Sequence, residues 1–153
     1  MFRIGSILVA VLLFSASAAV AATPRDGRFA GPTSQKTKPA NMDFKIAREG
    51  KVIRVITFPS VAGCGRKAKL RITTLVKQPV KLVVGSRIKL SGSFRGTLGK
   101  GSTYRAFFRM DGRFPTRTSA RGTWGLRAVV RNRRGRVTAR CRTGGVGWRA
   151  ARL

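Results

Sequence analysis

Beyond residue 40 the chain alternates apolar with charged or polar residues one by one, and this pattern most constrains what it can fold into. In "NMDFKIA" Met42, Phe44 and Ile46 alternate with Asp43 and Lys45, and "KVIRVITF" follows across a Glu49-Gly50 turn. "CGRKAKLRITTLV" sets Cys64, Ala68, Leu70, Ile72 and Val76 on one side. "RIKLSGSFR" sets Ile88, Leu90 and Phe94 against Arg87, Lys89 and Arg95. A two-residue period sends successive side chains to opposite faces of a sheet, so each run reads as a half-buried strand. Turn residues recur roughly every 8 to 12 positions, and no stretch beyond the amino terminus carries a helical stripe. The expectation is an all-β fold: a single antiparallel β-sandwich or barrel-like domain of about 7–9 strands.

The carboxy-terminal half can be read further, because the length of a turn sets the register of the strands it joins. "NRRG" (Asn132–Gly135) reads as a four-residue hairpin loop. That register places Val130 opposite Val137, Ala128 opposite Ala139 and Leu126 opposite Cys141, all facing inward. A loop at Pro115–Ser119 places Phe114 opposite Ala120, Met110 opposite Trp124 and Phe108 opposite Leu126, on the same inward face. Asp111-Gly112 competes as a two-residue hairpin turn. It would leave Trp124 without Met110, so the longer strand is preferred. Trp124 is then a core residue, and Trp148, alternating with Val146 and Ala150, seals the last strand. "GTLGKGS" (Gly96–Ser102) lacks P-loop spacing and opens no helix, so it reads as a hairpin loop.

The same registers line up cations on the outer face. Arg131 falls opposite Arg136, Arg127 opposite Arg140, and Arg113 opposite Arg121, with Phe107 across from Arg127. Like charges facing each other across a sheet are unfavourable by up to about 1 kcal/mol per pair. The chain carries 33 Lys and Arg against four acids (Asp26, Asp43, Glu49 and Asp111), no histidine, and a net charge of +29. Most cations therefore have no carboxylate, and an anionic polymer laid over the sheet would turn repulsion into binding through counterion release. The candidate polyanion-binding residues are Arg113, Arg121, Arg127, Arg131, Arg136, Arg140 and Arg142. A solvated basic face in an arginine-rich composition competes with this reading; no lysine follows Lys100.

The amino terminus reads as a signal peptide over residues 1–22: a basic start, the apolar run Ile7–Phe14, then "SASAAVAA", with cleavage after Ala21 or Ala22. The apolar run is short of the roughly 20 residues a membrane span needs, so the mature chain is expected to have no span and to be secreted or in the cell envelope. Residues 23–40 read as a polar N-terminal arm with one short strand around Phe29, and 41–153 as a disulfide-stapled β domain. In an exported chain Cys64 and Cys141, the only cysteines, read as one disulfide. They are too far apart for a redox pair and, without histidine, make no metal cluster. Such a bridge is worth roughly 4 to 5 kcal/mol in the chain-entropy model.

Lack of histidine removes Ser-His hydrolysis and histidine-bound zinc, and four scattered acids offer no carboxylate pair, so the expectation is a non-enzyme with no metal and no cofactor. The expected partner is an anionic polymer or surface: cell-wall polymer, acidic polysaccharide or nucleic acid. The alternatives are a structural or protein-interaction domain of the envelope with incidental charge and, third, a glycan-binding β-sandwich. The segments "DGRFAG", "FRMDGRF", "ARGTW" and "CRTGGVGW" resemble those of small secreted all-β proteins of high-GC bacteria. That resemblance implies an exported β-sandwich and carries no activity or site residues.

Overall fold

The structure is a computed structural model, and it describes residues 22–36, 41–83 and 86–153. The signal peptide, except for Ala22, and residues 37–40 of the arm lie outside the described residues. The period-two pattern becomes ten strands: β1 (Gly27–Pro32), β2 (Asn41–Ala47), β3 (Val52–Gly63), β4 (Lys69–Val76), β5 (Val80–Lys81), β6 (Arg87–Thr97), β7 (Thr103–Thr116), β8 (Ser119–Arg131), β9 (Val137–Arg142) and β10 (Val146–Arg152). The count exceeds the expected 7–9 because Val80–Lys81 adds a short strand to β3 and the arm supplies β1. Among the described residues no helix is long and apolar enough to cross a membrane.

All the strands are antiparallel and belong to one sheet, ordered β10-β1-β2-β3-β9-β8-β7-β6, with β4 and β5 on the other edge of β3. An additional β10–β8 pairing joins β1, β2, β3, β9, β8 and β10 into a ring, so the domain is barrel-like, with β6 and β7 extending the sheet beyond β8. The thinnest seam of that ring is β3–β9, a single pair, Gly63↔Arg142. The Cys64–Cys141 disulfide, which spans 77 positions, sits next to this pair and holds covalently what the ladder holds weakly. A disulfide of this kind belongs to an oxidising, extracytoplasmic compartment.

The stretch read as an arm is built into the ring. Phe29, on β1, is fully buried, stacks on Phe44 at 5.2 Å and meets Phe114 edge-on. A second aromatic group joins opposite sides of the core: Trp124 stacks on Phe58 at 4.3 Å and on Phe108 at 5.1 Å. Its indole N–H donates to Ser60 Oγ at 2.9 Å, which accounts for a buried serine on β3. Ala68, expected inward, is exposed because residues 65–68 form the turn into β4, closed by the bond from Cys64 N to Ala68 O at 2.8 Å.

The β7–β8 register is as expected: Phe108↔Leu126, Met110↔Trp124, Phe107↔Arg127 and Arg113↔Arg121. Asp111 and Gly112 lie inside β7, which disposes of the competing turn. The hairpin closes more tightly than Pro115–Ser119, with a bulge between Arg113 and Thr116 and Thr116 paired to Ser119. Phe114 and Ala120 remain buried beside it.

The β8–β9 register differs from the expectation by two residues. The pairs are Ala128↔Cys141, Val130↔Ala139, Arg131↔Val137 and Arg127↔Arg142. The cause is local. Asn132 Oδ1 accepts from Arg134 N and Arg136 N at 3.0 Å each, drawing Arg136 into a longer turn, and a bulge between Val130 and Arg131 adds one more position. Two single-residue shifts preserve parity, so Leu126, Ala128, Val130 and Cys141 still face inward, while Val137, before the bulge, is 41% exposed. The expected Arg131–Arg136 and Arg127–Arg140 pairs do not form.

Candidate anion-binding face

Because registered residues on adjacent antiparallel strands share a face, three pairings place four arginines in one line. Arg87 on β6 faces Arg113 on β7, Arg113 faces Arg121 on β8, and Arg121 faces Arg149 on β10. At about 4.8 Å between strands the line is roughly 14 Å long. All four are exposed, and none is in an ion pair among the described residues. Each acid is engaged by another group, including Asp111, which stands in the next row of the same face. Asp26 accepts the backbone N–H groups of Glu49 and Gly50, Asp43 pairs with Arg28, Glu49 with Lys51, and Asp111 with Arg109 at 2.7 Å. The hydrogen bond to Asp43, and then its charge, raise the pKa of Arg28 above the ordinary value, and Asp111 does the same to Arg109.

The line crosses an open groove whose floor is the row Lys89, Asp111, Thr123 and Gly147 and whose wall is Pro32–Ser34. Ser34 fixes that wall to β10: its N–H donates to Gly147 O at 2.8 Å and its Oγ accepts from Gly147 N at 3.0 Å. Beneath the floor, on the inner face, Trp148 lies so close to β7 and β8 that a Cβ added at Gly112 would stand 2.5 Å from its Cζ2, and one at Gly122 2.7 Å. The indole thus packs against the main chain of the strands that carry the arginines, and gives the line a firm base.

Farther along the same outer face lies a second basic cluster, of different composition. Its line runs Ser93, Phe107, Arg127, Arg142, and the next runs Arg95, Arg105, Val129, Arg140. Phe107 is 40% exposed, with Arg105 Cζ 4.9 Å from the ring centroid.

The seven arginines expected to act together therefore separate. Arg113 and Arg121 stand in the first line; Arg127, Arg140 and Arg142 surround the second cluster. Arg131 donates to Gly135 O at 2.7 Å and Arg136 lies in the turn, so both belong to the β8–β9 hairpin end. Arg87 and Arg149, which complete the first line, were not among the expected site residues. Arg87 was legible as outward-facing, and its partner follows once Thr97 pairs with Thr103 around the Gly99–Gly101 turn. Arg149 had no local signal, because β10 reaches β8 across a closure that no turn specifies. No protein-family model, curated protein or solved structure matches the chain.

Proposed function

We propose that this protein is an exported, non-catalytic β module that holds an anionic polymer across the outer face of β6, β7, β8 and β10. The observation that carries this reading is the line Arg87, Arg113, Arg121, Arg149, cations on adjacent strands none of which is in an ion pair among the described residues; the one acid beside them, Asp111, is paired with Arg109. Folding gains nothing from cross-strand like charges. A bound polyanion supplies the missing countercharge to four guanidinium groups held at a fixed spacing, each able to form paired hydrogen bonds to an anionic oxygen pair. The Cys64–Cys141 bridge suits a protein working outside the cytoplasm, where it resists reduction.

The test is a salt titration of polyanion affinity with two double variants of equal charge. Arg121→Thr with Arg149→Thr removes half of the line. Lys69→Thr with Arg71→Thr removes two exposed cations from β4, which pairs only with β3. The first variant should lower the slope of log affinity against log salt by roughly 1.4 to 1.8, and the second should leave it nearly unchanged. Equal losses from both would reduce the face to diffuse charge.

A further inference from the structure

We infer that the polymer held on this face is a single-stranded nucleic acid, one base of which stacks on Phe107. This rests on the proposed function and adds the class of ligand. Phe107 occupies an outward position at the middle of β7, where it contributes nothing to the core, yet it is a large ring left 40% exposed. Its neighbours on the open side are small: Ser93 is directly opposite on β6, and Ser91 and Gly125 are opposite the next outward residue, Arg109. Around Phe107 stand Arg105, Arg127 and Arg142; the Arg105 guanidinium lies over one face of the ring, its carbon 4.9 Å from the centroid, so a base stacks on the other face or takes the place of that guanidinium.

An acidic polysaccharide or a teichoic-type polymer would use the cations and has no flat aromatic group to place on the ring. A nucleic acid strand uses both, since each base has a π-face and each linkage an anionic phosphate. Strand rather than duplex follows from the same ring, because a paired base keeps its faces inside the stack. The distance is also suitable. Phe107 and Arg113 are on the same face of β7, about 20 Å apart at some 3.3 Å per residue. That is about six nucleotides at a stacked rise of ~3.4 Å.

The full mature chain is titrated, at near-physiological salt, with a labelled oligothymidylate of about 15 nucleotides. The same titration is run with an abasic oligomer of equal phosphate number and with a sulfated polysaccharide of equal charge. Phe107→Ala should weaken oligothymidylate binding roughly 5- to 150-fold, the usual effect of removing one stacking platform, and leave the other two ligands within about twofold. Phe107→Tyr should retain oligothymidylate binding. Thermal unfolding checks that the variants remain folded, as an exposed position allows. Equal loss on the abasic oligomer, no loss at all, or wild-type preference for the polysaccharide overturns the nucleic-acid inference. In each of those outcomes the arginine line still stands if Arg121→Thr with Arg149→Thr weakens binding. If that variant binds every polyanion as the wild type does, the underlying reading falls as well.

Discussion

The two faces of the sheet formed by β7, β8 and β10 carry residues from the same few positions and obey opposite physics. Inside, Trp124 stacks on Phe58 and Phe108, and Trp148 lies against Gly112 and Gly122. Outside, one residue away along each strand, are Arg113, Arg121 and Arg149. Inward side chains stabilise the fold by leaving water and filling space. The outward arginines oppose folding slightly. Substitutions on the two faces should therefore change stability with opposite sign, even at adjacent positions.

The largest effect belongs to the inner face. Trp124→Ala should cost about 3 to 5 kcal/mol in urea unfolding, and it also leaves Ser60 without the indole N–H it accepts. A loss below about 1 kcal/mol would mean the stacked aromatics do not hold the two sides of the ring together.

Next comes the seam. Replacing both cysteines, Cys64→Ser with Cys141→Ser, should cost about 2 to 5 kcal/mol. Hydrogen exchange should quicken first around Gly63 and Arg142, where β3 and β9 share one pair, and last in the long β7–β8 ladder. Uniform quickening would show that the bridge stabilises the whole domain without favouring its closure.

Gly112→Ala tests the contact between the faces. The added methyl meets Trp148 Cζ2 at 2.5 Å and Cη2 at 2.8 Å, so overpacking should cost roughly 1 to 3 kcal/mol. Wild-type stability in this variant would mean the indole can withdraw from the strands.

The smallest effect has the reverse sign. Arg121→Thr removes a cation flanked by Arg113 and Arg149 and should raise stability by a few tenths to about 1 kcal/mol. The same variant should bind a polyanion more weakly. Should it lose stability instead, the arginines contribute packing that their exposure does not suggest, and the contrast between the faces fails.

How far the fold was legible follows from where each instruction resides. Met42, Phe44, Ile46, Ile88, Met110 and Trp124 are buried as alternation requires, since a strand cannot turn one side chain without turning all of them. The β7–β8 register could be counted, because the bulge between Arg113 and Thr116 offsets the tighter turn and restores the register that a Pro115–Ser119 loop implies. The β8–β9 register could not, because Asn132 captures two backbone N–H groups and a bulge follows. Both are choices of local hydrogen bonding that composition does not reveal. For the candidate face, Arg113 and Arg121 were legible through that countable turn, whereas grouping Arg131 and Arg136 with them inherited the miscounted one.

By itself the sequence determined which side chains point inward along β2, β6, β7 and β8, though not at Ala68 and Val137 beside turns, that Cys64 and Cys141 pair, and that cations would crowd the outer face of the β7–β8 hairpin. These depend on a period of two, on having only two thiols, and on one short connection, all properties of the chain read locally. Only the tertiary structure decided that β1 lies between β10 and β2, that β3 meets β9 at a single pair, and that β10 lies along β8 so that Arg149 extends the line from Arg87. Strand neighbours distant in sequence are chosen by closing a ring around one aromatic core, a condition on all the strands together that no single segment encodes.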